Sequence, residues 1–347
     1  MQAAVSLTAL ERRLLSDLQR GFPVVSRPFA EVARLAGADE RTVLEGLQRM
    51  QSENVISRVG PVFRPHCVGA STLAAMAVPA ERLEAVAGLV SAYPEVNHNY
   101  EREHDINLWF VVTARYRARV REVLADIEQR TGLEVLNLPM LADYHIDLGF
   151  PLPWEEGPAT ARKRGAAVPR STDLTRSADA RRLIAATQGG LALVARPYES
   201  VAREAGLSEA AAMGYLRMWL ETGVVRRMGI VVRHHELGYR ANAMAVWDVP
   251  DGDVDALGQR LAHERQVTLC YRRPRRRPRW PYNLFCMVHG ADRAAVRAEV
   301  EALAVRHGLG HAPRAVLFSR RRFKQRGAWY ESTPEARPRS SSAVEAV

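Results

Sequence analysis

Apolar residues recur through the first fifty positions with the spacing of three short helices. One apolar face runs along residues 9–18, and a second helix is predicted from Pro28, which suits a first helical turn, to about residue 36. A third helix is predicted over residues 40–51, and SENVISRVGPVFRP then predicts a strand, a turn and a second strand. This order of elements is typical of a winged helix-turn-helix domain.

Beyond this domain, short apolar and alternating runs separate two helical patterns. STLAAMAVP, EVNHNYERE, INLWFVVTA and LEVLNLPML predict strands, whereas ERLEAVAGLVSAY and RVREVLADIEQRTG predict helices. The resulting order, βαββαβ, is that of a ferredoxin-like domain.

The whole arrangement occurs twice in the chain. VVSRPFAEVARLAG at 24–37 matches LVARPYESVAREAG at 193–206, and VISRVGPVFRPH at 55–66 matches VVRRMGIVVRHH at 224–235. The second copy continues with ANAMAVWDVP, VTLCYRR, YNLFCMVHG and PRAVLFSRR as strands, with helices from Val254 and Arg293. We call the two copies module one and module two.

The predicted fold class is therefore α+β, a tandem repeat of a winged helix-turn-helix and a ferredoxin-like βαββαβ domain. Two segments lack apolar periodicity and predict a linker at 155–177 and a disordered tail at 331–347. The two ferredoxin-like halves are expected to pair sheet to sheet, as a pseudo-dimer within one chain. The predicted domains are 1–65 and 66–154 in module one, and 178–234 and 235–330 in module two.

Composition narrows the class of protein. The 347 residues include 47% hydrophobic and 25% charged residues, which is an ordinary globular balance. The three cysteines form no C-x-x-C pair, so a disulfide framework and a cysteine zinc site are not expected. No apolar run approaches a membrane span, and the N-terminus is a poor signal peptide, so we expect a cytoplasmic protein without a membrane partner.

The net charge of +10 raises the question of nucleic acid, but its placement argues against it. Nearly all basic residues are arginines, and the densest runs, at 272–279 and 320–326, lie in the ferredoxin-like part. The helices that would read bases begin with Asp39 and Glu40 in module one, and with Ser208 and Glu209 in module two. Acidic groups there repel phosphates, so DNA binding is not expected.

Polar and aromatic residues occur on strands that should otherwise be apolar. The alternation of a strand places His98, Tyr100 and Arg102 on one face. In module two, the arginine run at 272–279 is flanked by Trp280 and Tyr282, and such a set suits a flat polyanion, with rings against aromatics and carboxylates against guanidinium groups. Plain core roles for the aromatic residues remain the alternative.

No P-loop, dinucleotide-binding, G-x-S-x-G or H-E-x-x-H motif occurs, and the adjacent His234 and His235 cannot share a strand face as metal ligands.

Three longer segments resemble siroheme decarboxylases, which are Lrp/AsnC-like enzymes of the heme d1 and alternative heme pathways. They are RRMGIVVRHHELGYRANAM, CYRRP followed by WPYNLF, and HNYEREHDINLWFV with LPMLADYHIDLGFPL. The resemblance covers nearly the whole chain and is to the fused, two-module form. It implies a carboxy-lyase that converts two acetate side chains of siroheme to methyl groups, giving didecarboxysiroheme and carbon dioxide. It implies no cofactor beyond the iron of the substrate, and related pathway subunits as partners, and it leaves further homodimerisation open.

The same resemblance assigns roles to residues of this sequence. Spectator carboxylates need arginine clamps, and the carbon that loses carbon dioxide needs a proton from a nearby acid. The candidate acids are His145, His98, Tyr100, His234, His235 and Tyr271, with iron ligation as the alternative role for one histidine. The candidate substrate-binding residues are Arg58, Arg64, Arg102, Asn107, Trp109, Tyr144, Arg227, Arg233, Arg272, Arg273, Trp280, Tyr282 and Asn283.

The repeat also predicts that the two modules differ in chemistry. His98 aligns with Leu269, and Pro65 aligns with His234, so a pocket in each module would not be equivalent. We favour a site in module one that contains His145, although one pocket could bind and the other only support structure. The competing functions are an Lrp/AsnC-like transcription regulator with a small-molecule or heme effector, and a heme-binding carrier.

Overall fold

Each module begins with three helices, at the positions that the apolar spacing predicts. The computed structural model describes residues 6–64, 67–146, 152, 175–232, 241–290 and 292–331. Asp39 and Ser208 begin the third helix of each module by accepting hydrogen bonds from the backbone N–H of Thr42 and Ala211. These polar residues therefore cap helices. The helices are α1 (Ala9–Leu18), α2 (Pro28–Ala36) and α3 (Glu40–Ser52) in module one, and α6 (Ala178–Thr187), α7 (Pro197–Ala205) and α8 (Glu209–Glu221) in module two.

The predicted hairpin after the third helix is wrong. Residues of the supposed turn lie in the middle of one strand, β1 (Ile56–Phe63), which pairs antiparallel with β7 (Val225–Val232) of the other module. Gly60 lies opposite Gly229 in this ribbon. A Cβ atom at Gly229 would collide with the carbonyl of Gln19, so glycine allows the ribbon to lie against the end of α1. Local sequence cannot indicate this pairing, because the partner strand belongs to the other module.

The two ferredoxin-like halves share one nine-stranded sheet, in the order β5-β2-β4-β3-β11-β8-β10-β9-β6. The last strand of each module crosses to the other: β6 pairs with β9, and the second half of β11 pairs with β3. The predicted strand 133–141 is shorter than expected, and β6 follows it as an additional strand. The bounds are β2 (Ala70–Met76), β3 (Val96–Arg102), β4 (Leu108–Ala114), β5 (Leu136–Leu138), β6 (Ala142–Ile146), β8 (Ala241–Trp247), β9 (Val267–Arg272), β10 (Leu284–Gly290) and β11 (Arg314–Gln325).

The sheet has a helix-covered face and an inner face. The covering helices are α4 (Leu83–Ala92), α5 (Arg117–Thr131), α9 (Val254–Leu261) and α10 (Arg293–Arg306). On the inner face, the indole of Trp109 in module one meets that of Trp280 in module two, with ring centroids 4.9 Å apart. Three residues connect β5 to β6, so the two edges of the sheet lie side by side. The tandem winged-helix and ferredoxin-like class is confirmed in this interleaved form.

The end of the described chain returns to the helical core. After β11, the Tyr330 ring packs edge-on against Phe63, with centroids 6.1 Å apart. Glu331, which the sequence assigns to the tail, forms an ion pair with Arg181 at 2.7 Å. The rest of the predicted tail and most of the predicted linker lie outside the described residues. No helix in the described ranges is long and apolar enough to cross a membrane.

Candidate functional site

A cavity of about 430 Å³ lies between the inner face of the sheet and the β1–β7 ribbon. Strands of both modules supply its walls, and residues 325–328 and Tyr330 complete them. The chain exchange therefore brings predicted site residues of both modules into one space. The volume falls in the range of small-molecule and cofactor sites.

Seven predicted site residues line this cavity. Two pairs among them are related by the repeat: Tyr100 corresponds to Tyr271, and Arg102 corresponds to Arg273. His98, Tyr100 and Arg102, which the strand alternation placed on one face, all line the cavity. The seven are Arg58, His98, Tyr100, Arg102, Trp109, Tyr271 and Arg273.

The paired arginines are held by similar contacts. Arg102 donates to the Leu317 carbonyl at 3.0 Å, and its guanidinium lies 5.9 Å from the Tyr100 ring centroid. Arg273 donates to the Leu138 carbonyl and lies 4.5 Å from the Tyr271 ring centroid. Both side chains are buried, and neither has a carboxylate among these contacts. Each guanidinium is therefore fixed at the cavity wall without a carboxylate partner in the part of the chain that the structure describes.

The described lining contains five arginines and no aspartate or glutamate. Burial lowers the pKa of every one of these guanidinium groups. A buried cation without a counterion is costly, and an anionic ligand in contact with it relieves that cost. Arg226 has Asp143 as a counterion, but the remaining positive charge of the lining favours a molecule with several negative charges. Its arginines are Arg58, Arg102, Arg226, Arg273 and Arg326.

His98 is a neutral base within this cationic space. Burial, and secondarily the nearby charge of Arg58, lower its pKa to about 4. Its ring stacks on Tyr100 with centroids 6.2 Å apart. A bound polyanion would favour the imidazolium form, so ligand binding and protonation of His98 are expected to be coupled.

Acid is expected to destabilise the empty protein through His98. The unfolded chain binds this proton near pH 6.5 and the folded chain only near pH 4, so the unfolded state holds more protons between those values. Lowering the pH from 7 to 4 should therefore cost up to about 3 kcal/mol of unfolding free energy. Urea unfolding at pH 7 and pH 4.5 measures this loss, and His98→Gln should show a smaller one. An equal loss in both proteins would contradict the assignment.

Several predicted ligands instead support the backbone. Asn107 donates to the Val78 carbonyl at 2.8 Å and accepts from its N–H at 2.9 Å. Asn283 makes the same two bonds to Val249, both at 2.9 Å. These asparagines fasten equivalent turns in the two modules, which corrects their assignment to the substrate.

Four charged or phenolic candidates are likewise engaged away from the cavity. Arg64 donates to the Gly223 carbonyl at 3.1 Å, and Arg227 donates to the carbonyls of Gln19 and Ile230. Arg272 forms ion pairs with Asp251 and Asp255, and the Tyr144 hydroxyl donates to Asp255. The described cavity lining includes none of the four, so the structure gives no support to their assignment as substrate ligands.

The remaining candidates fall into three groups. Trp280 is fully buried, and Tyr282 packs on it at 4.9 Å; both belong to the inner core behind the cavity wall. His145 lies on edge strand β6 opposite Cys270, and the described cavity lining does not include it. Arg233, His234 and His235 lie outside the described residues.

Some polar residues that line the cavity were not among the site residues predicted from the sequence. His289 extends the alternation of Phe285 and Met287 along β10, a signal that could have found it. Arg226 and Arg326 lie in segments rich in arginine, so composition could not single them out. The structure adds these residues to the candidate site.

Models of two known domain families match this chain, and the matched ranges correspond to the helical and ferredoxin-like domains of each module. A model of the AsnC-like ligand binding domain matches residues 68–145 and 236–324. A model of the siroheme decarboxylase NirDL-like HTH domain matches residues 11–56 and 180–226. Both match twice, in agreement with the internal repeat.

Relatives of known function match both the whole chain and its parts. The siroheme decarboxylase NirDL subunit of Paracoccus denitrificans (strain Pd 1222) is 43% identical over 329 residues, which cover 93% of this chain and 98% of the relative. The siroheme decarboxylase NirD subunit of Pseudomonas aeruginosa is 54% identical over 143 residues, covering 41% of this chain and 95% of that subunit.

Solved structures agree in fold over the same length. A crystal structure of the siroheme decarboxylase NirDL matches with a TM-score of 0.68 and 28% identity, covering 93% of this chain and 94% of that one. A second structure of NirDL, in complex with an iron-uroporphyrin III analogue, matches with a TM-score of 0.67 and 28% identity, covering 92% and 94%.

Proposed function

The chain belongs to the siroheme decarboxylase family, and from this membership we propose that its shared cavity binds siroheme and removes carbon dioxide from two acetate side chains. The enzyme is a carboxy-lyase, and its product in this proposal is didecarboxysiroheme for heme d1 biosynthesis. The observation that carries the proposal is the set of five arginines, of which Arg102 and Arg273 are buried, in a cavity whose described lining has no carboxylate. Siroheme is a flat macrocycle with many carboxylates, and it matches this charge.

Binding in the proposal uses the symmetric part of the cavity. Arg102 and Arg273 bind spectator carboxylates from the two modules, and Tyr100 and Tyr271 lie beside them as ring contacts or hydrogen-bond donors. Charge-assisted hydrogen bonds of this kind are stronger than neutral ones and fix a planar group in orientation. Trp109 completes the apolar wall. The arginines therefore hold the macrocycle so that a reacting acetate meets an acid.

The reaction breaks the bond between the methylene carbon of an acetate and its carboxylate. Carbon dioxide leaves, the electron pair remains with the methylene carbon and the adjoining ring, and a proton must then reach that carbon to form the methyl group. We assign this proton to His98, because the imidazole lines the cavity and a bound polyanion raises its low pKa. His289 is a second candidate from module two. His145 stays a prediction, which full turnover by His145→Ala would exclude.

The alternative function, a transcription regulator, is less supported because α3 and α8, the helices that would read bases, contact the opposite module. Gln48 on α3 donates to the Leu193 carbonyl at 3.2 Å, and the equivalent Arg217 on α8 donates to the Val24 carbonyl at 2.6 Å. Side chains with these bonds hold the two helical domains together. We propose that the winged helices act here as a scaffold for the cavity.

The relatives also indicate which subunits such an enzyme uses. Separate siroheme decarboxylase subunits are known in other bacteria, such as NirD and NirG in Pseudomonas aeruginosa. We propose that the fused chain supplies both parts as an intramolecular pseudo-dimer. A cytoplasmic location, further homodimerisation, and the absence of a cofactor beyond the substrate iron remain predictions.

Anaerobic incubation of the purified chain with siroheme tests the proposed function. Mass spectrometry of the extracted tetrapyrrole should show the loss of two molecules of carbon dioxide. An unchanged mass with a bound chromophore would favour a carrier. No binding of siroheme, together with a shift of a specific promoter fragment, would favour a regulator.

A further inference from the structure

The two modules supply equivalent strands to the cavity, but some equivalent positions carry different polar residues. A macrocycle turned by half a revolution would meet Tyr100 and Arg102 in place of Tyr271 and Arg273. These repeated pairs alone therefore cannot distinguish two orientations of the substrate. The choice between them must come from positions at which the modules differ.

Three such positions share one pattern. In module one, the cavity is lined by the small hydroxyl side chains of Ser57, Ser71 and Thr113. The repeat places larger polar side chains at the same positions in module two, and these also line the cavity. They are Arg226, Asn242 and His289, and the last two are direct cross-strand neighbours. One side of the cavity thus has longer polar side chains, one of them charged, where the other has short hydroxyl groups and more space.

Arg226 is the charged member of this set, and its position is fixed across the module boundary. Its Nη2 atom contacts a carboxylate oxygen of Asp143 at 2.6 Å. Asp143 lies on β6 opposite Tyr271 of β9, so it reaches module two through the exchanged strand. His98 lies on β3, and three strands separate β3 from β9 in the sheet. Arg226 and the proposed acid therefore belong to different sides of the cavity.

We propose that Arg226, held in place by Asp143, binds a spectator carboxylate of siroheme and thereby fixes which acetate faces His98. The inference rests on the proposed function and adds a specificity-determining residue to it, with Asp143 as a positioning residue. Ser57 at the equivalent position cannot supply the same charge, so the half-turned macrocycle loses this contact. Orientation then decides from which ring the first carbon dioxide leaves.

The test determines which positional isomer forms when siroheme has lost its first molecule of carbon dioxide. Short reactions of the full chain with siroheme are quenched, and the positional isomers are separated by liquid chromatography and identified by mass fragmentation. The wild-type protein should give one isomer in excess. Arg226→Ser should change the isomer ratio about tenfold towards the other isomer, which corresponds to about 1.4 kcal/mol. Asp143→Asn should change it in the same direction by a smaller factor.

Matched controls separate orientation from folding. Arg314→Ser removes an arginine from a similar ion pair, with Glu301 at 2.6 Å, away from the cavity, and should leave the isomer ratio unchanged. Arg226→Lys keeps the charge and should change the ratio less than Arg226→Ser, even if the latter folds poorly. The exchange of Ser57→Arg with Arg226→Ser should reverse the preference.

Two other results would overturn the inference. An equal mixture from the wild-type protein would show that no orientation is selected. An unchanged ratio in both Arg226→Ser and Arg226→Lys, with slower turnover, would show that Arg226 contributes binding alone. In either case the proposed function would stand, because the wild-type protein still turns over. A wild-type protein that releases no carbon dioxide would overturn the proposed function and this inference together.

Discussion

Replacing both Arg102 and Arg273 with methionine is expected to weaken siroheme binding at least about a hundredfold, because each arginine makes a hydrogen bond to a charged group worth about 1.5–3 kcal/mol. The same change should leave the unfolding free energy of the empty protein unchanged or higher. Both guanidinium groups are buried without a carboxylate among their described contacts. Their removal relieves a desolvation cost of several kcal/mol, which offsets the two lost bonds to carbonyls.

The opposite signs of these two effects make the prediction specific. Absorbance titration with siroheme gives the dissociation constant, and urea unfolding gives the stability. Arg314→Met, at an ion pair outside the cavity, is the matched control and should leave siroheme binding unaffected. A double variant that unfolds more easily yet binds siroheme as well as the wild type would show that the arginines serve the fold.

His98→Gln is expected to lower the rate of decarboxylation by about 10²–10⁴, the usual contribution of a positioned general acid. Glutamine is close in size and retains hydrogen-bonding capacity, but it has no titratable proton. Siroheme binding should change by no more than a few-fold, since the arginines remain in place. Single-turnover mixing under anaerobic conditions separates the chemical step from binding.

His289→Gln is the natural comparison for this result. His289 lines the cavity from module two at the position that Thr113 occupies in module one. Full turnover by His98→Gln, with a large loss in His289→Gln, would assign the proton to module two and contradict the role given to His98. Losses in both would indicate that each of the two decarboxylations needs a group from a different module.

Short-range pattern predicted the elements of this fold well. The spacing of apolar residues placed α1 at Ala9–Leu18 and α2 at Pro28–Ala36, as observed. Strand alternation placed Tyr100 and Arg102 on one face, and both line the cavity. Such features depend on neighbours within a few residues, which the sequence contains directly.

Pairing between the modules could not be predicted in the same way. β1 pairs with β7, and β6 with β9, over separations that no local pattern encodes. The shared cavity follows from these exchanges, so the pattern within either module could not indicate it. Asn107 and Asn283 show the related difficulty that a repeated polar residue can serve a turn in each module.

The number of siroheme molecules bound per chain tests the central claim most directly. Both modules line one cavity, so anaerobic titration monitored by siroheme absorbance should reach its end point at one equivalent of siroheme per chain. The Arg102→Met, Arg273→Met double variant should lose that single binding event. An end point at two equivalents, or one equivalent bound as tightly by the double variant, would contradict a single site shared by the two modules.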